Sequence, residues 1–137
     1  MKLRLVLAIA ALWVGSLFAQ VPEELRYQWV LVAGSNDGDD YLVHVPSVKK
    51  SPDGHVQAWV ISNSSKPRGS GFRSFRMFAD YDCSQKAIRA VITTYFTENW
   101  TGGRRLFESG IESWRPAPPN SITEDLIDKV CWFGREK

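Results

Sequence analysis

The chain has 137 residues, which suffice for one small domain with a hydrophobic core but not for two. Hydrophobic residues make up 44% of the sequence and charged residues 23%, which excludes a largely disordered protein. The 17 Lys and Arg residues exceed the 15 Asp and Glu residues by two, and Lys2 and Arg4 both precede an N-terminal apolar run. The rest of the chain is therefore formally neutral, which argues against a nucleic-acid-binding protein.

Residues 1–19 have the pattern of a secretory signal peptide. Lys2 and Arg4 form a basic start, residues 5–14 are all apolar, and Ala19 is a small residue suited to cleavage before Gln20. The alternative, a membrane anchor, is disfavoured because a spanning helix needs about 20 apolar residues. No Cys lies near the junction for lipid attachment. We expect an exported chain, in the periplasm or at the cell surface, with no lipid anchor and no membrane span after cleavage.

The region after the leader predicts a sheet of about six strands. Alternating or continuous apolar residues, separated by segments rich in Gly, Pro, Asn and Asp, are typical of strands joined by turns. An exposed polar loop is predicted over 63–71, because it contains two Gly and one Pro. The predicted strands cover residues 25–33, 41–45, 55–62, 72–83 and 86–97, with short strands at 104–108 and 111–114.

The C-terminal region predicts one amphipathic helix. Ser121 and Glu124 have the spacing of a capping box, in which Ser is the N-cap residue and Glu the third helical residue. The apolar residues that follow recur at helical spacing, which indicates that one side of the helix packs on the sheet. These residues are Ile122, Leu126, Ile127, Val130 and Cys131.

The chain contains two cysteines, Cys83 and Cys131. An even number of cysteines in an exported protein indicates a disulfide. The alternatives are two free thiols or half of a metal site. A zinc site needs about four ligands, and the only histidines, His44 and His55, lie in predicted strands far from either Cys in the sequence.

Several predicted strands are apolar on both faces, which one short helix cannot cover. Trp29, Trp59, Phe72 and Phe78 lie on such strands. Either the sheet curls on itself or its second face meets a partner, such as a second copy of the chain. Arginines alternate with aromatic residues along the fourth strand, and both types are enriched at interface hot spots. The candidate binding residues are therefore Phe72, Arg73, Arg76 and Phe78, and an acidic glycan or matrix protein is one alternative ligand.

The sequence offers little for catalysis. Neither His44 nor His55 lies in a catalytic motif, and no cofactor or metal motif is present. Ser47 and Lys50 match the S-x-x-K pattern of acyl-enzymes, but its companion motifs are missing, so the match is interpreted as chance. Asn63 and Asn99 begin N-glycosylation sequons. We expect a protein that is not an enzyme and needs no cofactor.

In the order of its motifs, the sequence resembles the surface-adhesin protein E family of bacterial exported proteins. The resemblance covers roughly residues 27–132, and its most specific parts are residues 81–84 and the tail over 119–131. The other matching positions are Trp29, Pro46, Ser47, Val48, Trp59, Ser74 and Trp114.

The resemblance implies an α+β fold, in which a single bent antiparallel sheet carries one packed C-terminal helix. It also implies a disulfide between the two cysteines, a tendency to dimerise, and a surface-adhesin E-like domain over 20–137. The type member is a surface lipoprotein that binds host extracellular proteins. The resulting hypothesis is an exported binding protein for host or envelope macromolecules. The alternatives are a structural subunit of an envelope complex and a small secreted enzyme.

Overall fold

The computed structural model of the protein describes residues 21–35 and 38–137. The predicted signal peptide over 1–19 and the residues Gln20, Asn36 and Asp37 lie outside the described residues. Within the described part, no helix is both long enough and apolar enough to cross a membrane.

One antiparallel sheet and one long helix make up most of the described chain. The strand order is β1-β2-β4-β5-β6-β7, while the short β3 and β8 pair with β4 and β6. The predicted fold class is confirmed, since six main strands form an open sheet with a C-terminal helix. In chain order the elements are α1 (Glu23–Arg26), β1 (Trp29–Gly34), β2 (Asp39–His44), β3 (Lys49–Lys50), β4 (Val56–Arg68), β5 (Phe72–Asp82), β6 (Ala87–Phe96), β7 (Arg105–Ser109), β8 (Arg115–Pro116) and α2 (Ile122–Arg135).

The main core lies between α2 and one face of the sheet, which we call the helix face. Successive side chains of a strand point to opposite faces, so every second residue of β4, β5 and β6 enters this core. Leu126, Ile127 and Val130 of α2 are buried there, as their spacing predicts. The sheet contributes Val43, Val56, Ala58, Val60, Met77, Ala79, Tyr81, Ile88 and Ala90.

The start of α2 and its attachment to the sheet follow the sequence closely. The Ser121 hydroxyl accepts a hydrogen bond from the Glu124 backbone N–H at 3.1 Å, which confirms Ser121 as the N-cap residue. Cys83, directly after β5, and Cys131 form a disulfide across a separation of 48 residues, with their Cα atoms 5.9 Å apart. The bridge therefore joins the helix to one end of a central strand.

A smaller core lies on the opposite face of the sheet, which we call the open face. Val21, Leu42 and Ile61 are buried there, and Leu25 and Trp100 pack against them. The predicted first strand is wrong over residues 25–28, because α1 occupies 23–26 and β1 begins at Trp29. Pro22 and two Glu residues favour a helix start, and this single turn places Leu25 over the small core.

Two further predictions are corrected by the structure. The predicted loop over 63–71 continues β4 as far as Arg68, and Asn63 and Ser64 are buried. These polar residues remain in the sheet because their groups are bound: Asn63 Oδ1 accepts hydrogen bonds from the Asn99 side chain and the Trp100 N–H. The predicted strand over 111–114 is also wrong, since β8 consists of residues 115–116.

We expect replacement of Cys83 or Cys131 by Ala to lower the free energy of unfolding by about 2–5 kcal/mol, because the cross-link restricts the unfolded chain. Urea unfolding of the exported protein measures the change. As a control, reduction of the wild type should lower its stability to that of the double alanine variant. Two titratable thiols in the folded exported protein would contradict the bridge.

We also expect Gly134→Ala to destabilise the protein by about 1–3 kcal/mol, although Ala normally favours a helix over Gly. An added Cβ at Gly134 would lie 2.8 Å from Val56 Cγ2 and 3.1 Å from Val56 Cγ1, and the branched Val side chain has little freedom to move. Gly110→Ala is the matched control, since no atom lies within 4 Å of the added Cβ. In a Val56→Ala background, Gly134→Ala should lower the free energy of unfolding by less. An unchanged loss of free energy would exclude this clash.

Candidate functional site

The candidate site lies on the open face, at the centre of the sheet. The register pairs Trp59 of β4 with Phe78 of β5, and Phe78 with Ile92 of β6, so that the three side chains form one row. Arg76 lies two residues before Phe78 in β5, so its side chain points to the same face. We call Trp59, Arg76, Phe78 and Phe96 the platform.

The platform combines aromatic rings with one exposed positive charge. The ring centroids of Trp59 and Phe78 lie 5.2 Å apart. The Arg76 guanidinium carbon lies 5.7 Å from the centroid of Trp59 and 5.8 Å from that of Phe96. Both distances are within the range of cation–π attraction. Arg76 is therefore oriented over two rings while its side chain stays exposed.

A second arginine is fixed next to the platform by a buried carboxylate. Asp80 is 4% exposed and lies between Gln57 and Arg89 on the open face. Gln57 Nε2 donates to Asp80 Oδ1 at 2.7 Å, and Arg89 Nη2 donates to Asp80 Oδ2 at 2.6 Å. The Arg89 guanidinium also lies 4.8 Å from the Trp114 ring centroid. The negative charge of Asp80 is thus paired within the chain, and Arg89 is held in one orientation.

The structure separates the four candidate binding residues predicted from the sequence. Arg76 and Phe78 both lie in the platform. Phe72 instead contacts Phe75 and Tyr95 at ring distances of 6.2 and 4.8 Å, in a different aromatic cluster. Arg73 is half-buried and contributes no described contact to the platform.

Sequence reasoning missed Phe96, Arg89 and Trp114. The pairing of β5 with β6 shifts between Phe78 and Ala79, because β6 has one extra residue at this point. The alternation of faces along β6 is therefore interrupted. Simple counting along β6 therefore assigns residues on either side of this bulge to the wrong faces. The remaining indication of these residues in the sequence is composition, because aromatic residues and arginine are both frequent in these strands.

The apolar surface left for a partner is smaller than the sequence suggests. Trp29, Trp59, Phe72 and Phe78 are each half-buried by contacts within the chain. The most exposed large apolar side chains of the described residues lie elsewhere, on the N-terminal turn, on β1 and β7, in the segment after β7 and on α2. They are Tyr27, Val30, Phe107, Ile111 and Trp132.

The two histidines occupy structural positions. His44 Nε2 lies 3.1 Å from Gln28 Oε1, its ring lies 4.9 Å from Trp29, and partial burial lowers its pKa. His55 Nδ1 lies 3.1 Å from Asp53 Oδ2, while the opposite ring nitrogen lies 3.6 Å from Asp82. The His55 ring also contacts Trp114, with centroids 4.8 Å apart.

Neither Ser47, which begins the S-x-x-K match, nor Ser51, which lies close to His55, is arranged as a nucleophile. Ser51 binds the Asp53 carboxylate and the His55 carbonyl oxygen, and makes no described contact with the imidazole. Ser47 Oγ donates to the His44 carbonyl at 2.7 Å and accepts from the Trp59 N–H at 2.9 Å. The S-x-x-K match is therefore part of a structural turn. Within residues 21–35 and 38–137, no group of three acidic, His or Cys side chains is placed to hold a metal.

The two sequon asparagines belong to one buried network. Asn99 Nδ2 donates to Asn63 Oδ1 at 3.1 Å and to the Ser64 carbonyl at 2.7 Å. Asn63 itself is 6% exposed. A glycan on Asn99 Nδ2 would replace one of its two N–H donors, and the Asn63 side chain is buried, so both residues serve the fold.

We expect Arg89→Met to lower the free energy of unfolding by about 3 kcal/mol, because it leaves the buried Asp80 carboxylate without its cation. Asp80→Asn in the same chain should restore part of the loss, since Asn is neutral and still accepts from Gln57. Arg105→Met is the control, because Arg105 is exposed and lies 3.9 Å from Glu108. Thermal and urea unfolding measure all three changes, and equal effects of Arg89→Met and Arg105→Met would refute the role of the buried pair.

Solved structures of Haemophilus influenzae protein E have a similar fold. Its crystal form II aligns with a TM-score of 0.59 and 16% identity over 81% of this chain and 92% of that chain. A second protein E structure aligns with a TM-score of 0.57 and 18% identity over 84% of this chain and 92% of that chain. The protein E structure from non-typeable H. influenzae aligns with a TM-score of 0.52 and 14% identity over 82% of this chain and 84% of that chain. At these identities the likeness concerns the fold alone.

No curated protein matches this sequence. A family model described as surface-adhesin protein E matches residues 29–132, from the first strand to the last helix. This match includes the platform, both cysteines and most of α2. The chain therefore belongs to the surface-adhesin protein E family.

Proposed function

We propose that the protein is exported and acts by binding a macromolecule through the platform. The family is one of surface adhesins, which favours binding over catalysis. The basic and apolar pattern of residues 1–19 supports export to the periplasm or the cell surface.

One observation carries the proposal: Arg76 is exposed above two aromatic rings on a sheet face that α2 does not cover. Arginine and aromatic side chains contribute most of the binding energy in many interfaces, especially where they are already ordered. The cation–π contacts orient the guanidinium before any partner arrives, which reduces the entropy lost on binding. A carboxylate or sulfate on the partner is the group that this cation suits best.

The first partner proposed is a second copy of the chain. The partly buried rings of Trp59 and Phe78 provide an apolar centre, and a carboxylate of the copy is the group that would face Arg76. Burial of apolar area contributes about 25 cal/mol per Å², so even a partly covered aromatic face favours association at high concentration. A host or envelope macromolecule with acidic groups is the second partner that this chemistry suits.

We expect Phe78→Glu and Arg76→Glu each to weaken self-association of the exported protein by about tenfold or more. The first change places a charge in the apolar centre of the platform, and the second reverses its cation. Sedimentation equilibrium over a concentration series measures the dissociation constant. Circular dichroism should show an unchanged fold.

Phe107→Glu and Lys50→Glu are the matched controls, because both residues are exposed and lie on the helix face, where Phe107 pairs with Tyr95 and Lys50 pairs with Val56. They should leave the dissociation constant unchanged. A wild type that stays monomeric at every concentration contradicts the second copy as partner. Equal effects of the platform and control variants contradict the platform as the surface.

A further inference from the structure

The outer edge of β1 presents unpaired backbone groups. β1 is the first strand of the sheet and pairs with β2 through one edge, and within the described residues no strand pairs with its other edge. The Val45 N–H donates to the Gln28 carbonyl at 3.0 Å. Because hydrogen-bonded and non-bonded pairs alternate along an antiparallel ladder, Trp29 and Leu31 direct their N–H and C=O groups away from β2.

A groove runs beside this edge, between β1 and α2. Its central cavity of about 340 Å³ lies between Val30 and Val32 of β1 and Trp132 and Phe133 of α2. Val30 is 41% exposed and Trp132 is 49% exposed, so the apolar walls are open to solvent. Separate depressions of about 590 and 420 Å³ lie at the two ends of β1, and each shares two lining residues with the central cavity. Depressions therefore follow β1 along its length.

The α2 wall of the groove is positively charged. Asp128 also lies in this wall, but its carboxylate is bound by Lys86. No described carboxylate lies within ion-pair distance of Lys129 or Arg135, which line the same cavity. The acidic Asp40 lies beside the far depression, beyond Gly34, so positive charge dominates only next to α2.

We propose that this groove binds an extended acidic segment of a partner protein, which adds as a strand to the edge of β1. The free N–H and C=O groups of Trp29 and Leu31 would bind the backbone of the segment. Side chains on one side of that segment would enter the groove, where an apolar group fits between Val30 and Trp132. An acidic group would face Lys129 and Arg135. This is the chemistry of β-strand addition, in which backbone pairing supplies affinity and the groove supplies specificity.

Charge argues against the two other occupants that the chain itself offers. Two copies could pair through their β1 edges about a two-fold axis. The cationic wall of one copy would then approach the cationic wall of the other, and like charges oppose such contacts. Residues 1–20 contain Lys2 and Arg4 and no acidic residue, so that segment also has the wrong charge. The inference goes beyond the proposed function, because the platform lies on the opposite face of the sheet.

Fluorescence anisotropy of labelled synthetic peptides, titrated with the full chain expressed with its own leader, tests the proposal. One peptide alternates Glu with Val, a second alternates Lys with Val, and a third is the acidic peptide with alternate backbone nitrogens methylated. We expect the acidic peptide to bind at least about tenfold more tightly than the lysine peptide. Methylation should weaken binding by about tenfold or more, because it removes the donors needed for a ladder while it keeps every charge.

Variants of the protein locate the binding site. Lys129→Glu/Arg135→Glu should weaken binding of the acidic peptide by about tenfold. Lys49→Glu/Lys50→Glu is the matched control, because these two exposed lysines lie on β3, outside the groove. Phe78→Glu should leave peptide binding unchanged, so failure of the platform and failure of the groove are separate results.

Four outcomes would overturn the proposal. The first is no binding of the acidic peptide at millimolar concentration, and the second is equal binding of the methylated peptide. The third is tighter binding of the lysine peptide or of a peptide with the sequence of residues 1–20, which would assign the groove to a basic segment. The fourth is dissociation of an oligomer of the protein by the acidic peptide, which would make the edge of β1 an interface between copies.

Discussion

The packing of one helix against one face of the sheet determines which surfaces the protein can offer. Leu126, Ile127 and Val130 cover the middle of the helix face, where they exclude water from the central strands. Among the described residues, the core on the opposite face is the small one around Leu42 and Ile61. The platform therefore remains uncovered, and the groove exists because α2 lies close to β1 without closing its edge. Both proposed binding surfaces are consequences of the same limited coverage.

Two buried polar side chains on the open face, Asp80 and Asn63, are bound within the chain. Asp80 is paired with Arg89 and Gln57, and Asn63 is bound by Asn99 and the Trp100 backbone. Such networks fix the orientation of the side chains around them, since any broken bond would leave a buried group unpaired. The rings and arginines nearby are ordered as a result, and they are not free to collapse into a core.

Local signals in the sequence were sufficient for the helix, the disulfide and most strands. Ser121 and Glu124 specify the start of α2, and the alternation along β5 specifies its two faces. Two of the errors occurred where tertiary contacts decide the structure. Residues 63–68 have the composition of a loop, but β4 continues because the Asn99 segment binds Asn63. The platform was only half predicted, because the bulge in β6 changes which residues share a face and no residue type marks it.

The position of the disulfide affects the order of events when the chain is made. Cys131 follows Cys83 by 48 residues, and β6, β7 and β8 lie between them. Synthesis must pass all three strands before the second thiol exists, so Cys83 has no partner within the chain until they have been made. A slip of one residue in strand pairing turns every side chain to the other face. Such a slip near the end of β5 would point Cys83 away from α2. The native packing of the bridge against α2 therefore requires this end of β5 to be in the correct register.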